Sequence, residues 1–193
     1  MSHQLINRSS DLKHLRDEGY DIEIQSGHLL VKHVPYVNSS KEIKYGILVS
    51  QLNLAGDVTT KPDPHTVYFT GDYPCHKDGS EIKQIRNESQ QNEIIPGLMI
   101  RHRFSNKPLS GHYNDFFEKM TTYANILCGP AQSINPEVTA KTFPVIEAGE
   151  EESVFKYVDT ASSRAEISVV TKKLELGTVA IVGMGGTGSY VLD

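Results

Sequence analysis

Apolar and polar residues alternate through YDIEIQ and again through HLLVKHV, and the two runs flank Ser26-Gly27. Alternation at period two marks a half-buried strand, and a two-residue turn between two such runs predicts a β-hairpin. YGILVSQLNL, from Tyr45 to Leu54, predicts a further strand that Ala55-Gly56-Asp57 ends. KPDP is a break, HTVYFTG (His65 to Gly71) predicts the next strand, and PCHKDGS is a turn-rich loop. RNESQQNE, from Arg86 to Glu93, has no apolar period and reads as an exposed excursion. GLMIRHRFS then returns as a strand, with Leu98, Ile100 and His102 on one face.

Helical spacing appears in three places. Ser10 caps a short helix through DLKHLRDEG, with Leu12 and Leu15 as its apolar stripe and Gly19 as its end. In NDFFEKMTTYANILCG, Asn114 is the expected cap. Phe116, Phe117, Met120, Tyr123, Ala124 and Leu127 form a broad apolar face, and Gly129-Pro130 is the expected stop. EAGEEES is acidic and small, and reads as a linker or exposed turn. Beyond it Ser162 or Ser163 caps a helix through RAEISVVTKKLEL, Gly177 ends it, and Thr178 to Gly183 reads as a buried strand. The expected layout is an α+β accessory domain over residues 1–150, a linker over 151–161, and over 162–193 the truncated start of a Rossmann-like α/β domain.

Composition narrows the class of function. The chain has 193 residues, 38% apolar and 22% charged, a balance that supports a packed core. Its net charge of −5, with no basic run, argues against nucleic acid and anionic membrane surfaces as partners. No apolar stretch is long enough to span a bilayer, and MSHQLINRSSDLKHLRDE lacks the apolar segment of a secretory signal. A cytoplasmic protein is expected. Cys75 and Cys128 stand alone rather than in C-x-x-C pairs, so reduced thiols are expected.

The clearest motif is Gly183-Met184-Gly185-Gly186-Thr187-Gly188, a G-x-G-x-x-G that follows VAIV and precedes SYVL. In a strand–loop–helix setting the first glycine permits a tight turn, the second lets backbone approach a phosphate, and the third lets the helix pack on the strand. The wider pattern, with Ser163-Arg164, KKL and then VAIVGMGGTGS, resembles the start of the ThiF/MoeB/HesA family of ubiquitin-activating-type adenylyltransferases. Gly185-Gly186 and Gly188-Ser189 match that family's loop. Upstream, HTVYFTGDYPCHKDG, FSNKP and YNDFFEKMTTYANI resemble a domain found ahead of ThiF domains in bacteria.

The resemblance implies an enzyme that uses ATP and Mg2+ to activate the C-terminal carboxylate of a ubiquitin-like protein as an acyl-adenylate. Gly183, Gly185, Gly186, Gly188 and Ser189 would cradle the nucleotide. Arg164 stands near the position of an arginine in that family, at a shorter spacing to the loop, and reads equally well as a solvated residue of a first helical turn. The acidic ribose ligand, the further arginine and lysine and the magnesium aspartate of the family have no counterpart within these residues. Residues 1–193 are therefore expected to be a fragment that holds no nucleotide tightly and is inactive alone, while the complete enzyme can form a homodimer. The accessory domain is expected to bind a protein partner, either the ubiquitin-like substrate or a conjugating component.

Other readings of the chemistry stay open. A glycine loop of this form also serves NAD or FAD in oxidoreductases, and the chain could equally be a non-catalytic binding module. His65 precedes Cys75 by ten residues, a spacing similar to that in ubiquitin-conjugating enzymes. A thiolate at Cys75, its pKa depressed by His76, could carry a thioester. The asparagine expected after such a histidine is missing, because Thr66 and Val67 follow, and the flanking residues make good turn chemistry by themselves. His65, Cys75, His76 and Asp78 with His102 or His112 would suit zinc chemically, yet lack metal-site spacing, so no metal is expected. His28 and His33 fall on opposite faces of a regular strand and cannot share a ligand. Arg101, Arg103 and Lys107, interleaved with aromatics, could contact a peptide or phosphate. The plainer reading packs the aromatics inward and leaves the charges wet, and it makes Cys128 a small buried hydrophobe.

Overall fold

Ser26 and Gly27 lie at φ +48° and +73°, as a type I′ hairpin turn requires at both central positions. They join β1 (Ile22–Gln25) to β2 (His28–Val37), with Gln25 opposite His28. The computed structural model describes residues 2–144. Within them two short helices, α1 (Ser2–Arg8) and α2 (Ser10–Asp17), precede the hairpin. β3 (Ile43–Gln51) pairs with β2, and β4 (Leu54–Ala55) with β5 (Val58–Thr59) makes a small separate ribbon. Then follow β6 (Val67–Phe69), a 3-10 turn at Lys83–Ile85, β7 (Arg86–Glu88), β8 (Asn92–Ile95), β9 (Leu98–Ile100), β10 (His102–Phe104) and the long helix α3 (Phe116–Ile134). The main sheet runs β1-β2-β3-β6-β10-β7, every neighbour antiparallel. The fold is α+β, as the patterning predicts; the Rossmann-like element expected over 162–193 lies outside the described residues.

Side-chain alternation sends successive residues to opposite faces, so one sheet carries two cores. On one face Val31, Leu48, Phe69 and Phe104 pack with Phe116, Met120, Tyr123, Ala124 and Leu127 of α3. On the other, the cross-strand row Leu30, Val49 and Tyr68 meets Ile95 and Ile100 of the β8–β9 hairpin. That hairpin folds over the face α3 leaves bare.

Local details correct several expectations. The residue preceding α2 is Ser9 rather than Ser10. Its hydroxyl makes no cap bond and instead accepts from the Thr59 backbone at 3.1 Å. The other end follows the prediction: Gly19, at φ +95°, donates to Arg16 O, while Tyr20 N reaches Leu15 O. This is a Schellman end, with buried Leu15 and Tyr20 as its apolar pair. Asp115, not Asn114, caps α3 by accepting from Glu118 N at 2.8 Å, and Glu118 accepts in return from Asn114 N at 2.7 Å. Buried Asp11 adds a second acceptor at that helix end, taking a bond from Phe116 N at 3.0 Å and from the Thr59 hydroxyl at 2.5 Å.

α3 also runs through Gly129-Pro130 to Ile134. Beyond the expected stop Ala131 is fully buried. The polar stretch Arg86–Glu93 is exposed as expected, but it is ordered into edge strand β7 and the start of β8. GLMIRHRFS is two strands: Leu98 and Ile100 serve the second core, while His102 pairs across from Phe69 and stacks near Phe104. In β2 the register slips between Val31 and Val34, and His33 sits at φ +55°. A bulge therefore interrupts the alternation on which the opposed placement of His28 and His33 rests. The two histidines are engaged separately, His28 with Ser26 O and His33 with Asp21.

Candidate functional site

β6 and β10 lie side by side with Phe104 opposite Val67 and Arg103 opposite Tyr68. The residues that continue each strand therefore meet at one corner of the sheet. His65 Nε2 is 2.9 Å from Ser105 Oγ. Beneath them the fully buried Tyr123 of α3 donates its hydroxyl to His65 O at 2.9 Å and accepts from Asn106 N at 2.6 Å. Tyr113, also buried, donates to Asn106 O at 2.6 Å. These phenols tie the corner to the helix, and burial raises the pKa of both, that of Tyr123 far, so they stay neutral donors.

The corner is cationic. Partial burial lowers the pKa of His65, and the charges of Lys107, Lys119 and Arg103 lower it further against a weaker opposing pull from Asp63. Arg103 donates from Nε and Nη2 to the Thr66 hydroxyl, both at 3.2 Å, and its guanidinium lies over the Tyr68 ring at 5.6 Å. Arg101 is paired with Asp72 at 2.6 Å and Arg86 with Glu81 at 3.3 Å. Arg103 and Lys107 have no carboxylate partner among the described residues.

Beside Arg103 opens a cleft of about 190 Å³ between the main sheet and the β8–β9 hairpin. Tyr68, Glu88 and Arg103 line it from the main sheet and Asn92, Ile94 and Ile100 from the hairpin, and Glu88, Gln90 and Asn92 are its exposed lining. The patch reading of Arg103 and Lys107 thus acquires a shape that the sequence pattern does not show. The aromatics of the same stretch behave as the plainer reading expects, with Tyr113, Phe116 and Tyr123 fully or almost fully buried.

Cys75 stands elsewhere in the fold. It is 1% exposed, its N–H bonds Val37 O at 2.7 Å, its thiol donates to Tyr73 O at 3.4 Å, and it bridges the chain near Val37 to Glu81. Burial raises its pKa, and Glu81 and Asp78 raise it further. The depression by His76 that a thioester carrier needs is replaced by a shift in the opposite direction, the setting of an inert structural thiol. His65 and Cys75 have different partners, Ser105 and Tyr73. Cys128 is buried, with its thiol pushed up to about 12, as expected for a small hydrophobe in the core.

His102 bonds Ser89 at 2.9 Å and His112 lies 3.3 Å from Lys61 Nζ, while Asp78 closes its own turn onto Ser80. Among the described residues no three His, Cys, Asp or Glu side chains converge as metal ligands would. No described helix is long and apolar enough to cross a membrane. Arg164 and the loop residues Gly183, Gly185, Gly186, Gly188 and Ser189 lie outside the described residues.

Sequence reasoning missed Lys119, which is fully buried and donates to Ser50 Oγ and Pro64 O, both at 2.8 Å. Its signal was present: a lysine three residues after Phe116 and four before Tyr123 lies within the apolar stripe of α3.

No curated protein and no solved structure matches this chain. A family described as a domain of unknown function, DUF6791, matches residues 10–160, well over half of the sequence and nearly all of the fold described above. The chain belongs to the DUF6791 family.

Proposed function

We propose that the α+β domain recognises a protein partner for an ATP-dependent adenylyltransferase of the ThiF type. The glycine loop Gly183–Ser189 would be part of that enzyme's nucleotide cradle, with Mg2+ as the companion ion and the C-terminal carboxylate of a ubiquitin-like protein as the group activated. One observation carries the recognition role. Arg103 is immobilised by Thr66 and Tyr68, lacks a carboxylate partner among the described residues, and faces a cleft on a protein whose net charge is −5. An ordered, unpaired guanidinium at a cleft supports binding of an anionic group brought by another molecule.

The nucleotide part of the reading rests on the sequence resemblance. The two parts are tested separately. A photoreactive amino acid at Gln90 in the full chain should cross-link a ubiquitin-like protein, and Arg103→Glu should abolish the cross-link. Labelling that ignores Arg103→Glu would remove the cleft from the partner site. For adenylation, protein isolated from its source cells and given the ubiquitin-like protein should exchange pyrophosphate into ATP as its carboxylate is reversibly adenylated, and Gly186→Val should stop the exchange. Exchange that survives Gly186→Val would sink the assignment of the loop.

A further inference from the structure

The cleft over β10 and the edge strand β7 holds two opposite charges that do not meet. Arg103 and Glu88 are directly opposed in the β10–β7 register, so both side chains leave the same face of the sheet. Neighbouring arginines find carboxylates: Arg101 pairs with Asp72 and Arg86 with Glu81. Arg103 instead spends Nε and one hydrogen of Nη2 on the Thr66 hydroxyl. Its Nη1 hydrogens and the second hydrogen of Nη2 form the outer end of a planar fork whose face is held on Tyr68. That end is shaped for the two oxygens of a carboxylate.

Size and lining narrow the ligand. A space of about 190 Å³ lies below the roughly 300–1,000 Å³ typical of cofactor and drug-sized sites. An amino-acid-sized group fills it. Ile94 and Ile100 offer an apolar wall, and Glu88 at the rim can accept from an N–H. Glu88, Gln90 and Asn92 are all exposed, so the rim stands open to solvent. An enclosed small-molecule site buries most of its ligand; an open rim suits the end of a longer chain.

We infer that this cleft receives the C-terminal residue of a partner polypeptide. Its α-carboxylate sits on the outer end of Arg103, its amide N–H points to Glu88, and an apolar side chain packs against Ile94 and Ile100. The inference rests on the partner-recognition reading and adds the chemical group recognised. A free amino acid carries the same carboxylate, N–H donor and side chain, and is the other source of this chemistry.

The test uses the full chain, isotopically labelled and followed by NMR. The probes are short peptides ending in alanine or valine, the same peptides as C-terminal amides, and free alanine and valine. The expected result is saturable shifts at Arg103, Tyr68, Ile94 and Ile100 with the free-acid peptides. Affinity should fall about tenfold or more for the amides, since a charge-assisted bond is lost. Arg103→Gln should abolish binding while the protein stays folded, its thermal midpoint lowered only by the lost Thr66 bonds and Tyr68 contact, and Arg103→Lys should retain part of the binding. Equal binding of acid and amide would overturn the carboxylate assignment while leaving the cleft as a partner site. No shift with any probe at millimolar concentration would overturn both the inference and the cleft's role in recognition. Free amino acids binding as tightly as peptides would overturn the polypeptide as the source.

Discussion

Tyr123 shows how one side chain can set a site from below. Its hydroxyl is the joint between α3 and the His65–Ser105 corner, giving one bond to His65 O and taking one from Asn106 N. Phenylalanine would keep the ring packing and leave a partly buried carbonyl and amide without this partner, at a cost of about 1 kcal/mol. Tyr123→Phe should therefore unfold at lower urea with an unchanged slope. It should also loosen the corner. His65 titrates below its ordinary value because it is partly buried and beside cations, so a looser corner returns its pKa toward 6.5. An NMR titration of the ring in both proteins measures this. An unchanged His65 titration would mean that the strands alone hold the pair.

Among the elements, α3 is the clearest conflict between local signals and packing. Pro130 lacks the N–H that would bond the Ile126 carbonyl and crowds that turn, a cost of roughly 3 kcal/mol in a helix interior. Against it stand Leu127, whose burial is worth about 1.5–3 kcal/mol, and the smaller Cys128 and Ala131, all three buried in the core. Packing wins and the helix continues. Pro130→Ala removes the penalty and keeps the buried face, so it should raise stability by about 1–3 kcal/mol; a lower urea midpoint for that variant would show the ring itself to be packed. The same competition explains what the sequence made legible. The Ser26-Gly27 hairpin, the Gly19 helix end and the apolar face of α3 are readable because local chemistry and burial agree there. The helix stop at Pro130 misleads because they disagree. β7 was hidden because an edge strand that is exposed throughout has no apolar period to display. The Arg103 cleft was hidden for a different reason: Tyr68, Ile94 and Arg103 are far apart in the chain, and only the strand order brings them to one place.

At the scale of the whole molecule, Lys119 joins three parts of the fold, since its amine on α3 bonds Ser50 on β3 and the Pro64 carbonyl before β6. It lies inside the larger core with no exposure, and burial pulls its pKa from 10.5 down to about 7, offset only weakly by Asp63. A neutral amine has two N–H groups and the cage offers these two acceptors, so the uncharged form is the one the fold satisfies. The consequence for stability has a definite sign. Between pH 7 and 10.5 the unfolded chain binds a proton that the folded chain rejects, so stability rises with pH across that window. Below it both states are protonated and the fold bears the full cost of a buried ammonium. The exposed Lys141–Glu18 pair raises the Lys141 pKa, and its contribution is lost only above the same window. Lys119→Met isolates the effect, because the exposed pair is common to both proteins and cancels in the difference. Urea unfolding from pH 7 to 9.5 should show the stability of the parent gaining on Lys119→Met by about 2–3 kcal/mol, with a slope no steeper than about 1.4 kcal/mol per pH unit. Parallel curves would mean that the amine keeps its charge in the fold across the window, by drawing in water, and that would break the link between this buried lysine and the pH at which the domain is most stable.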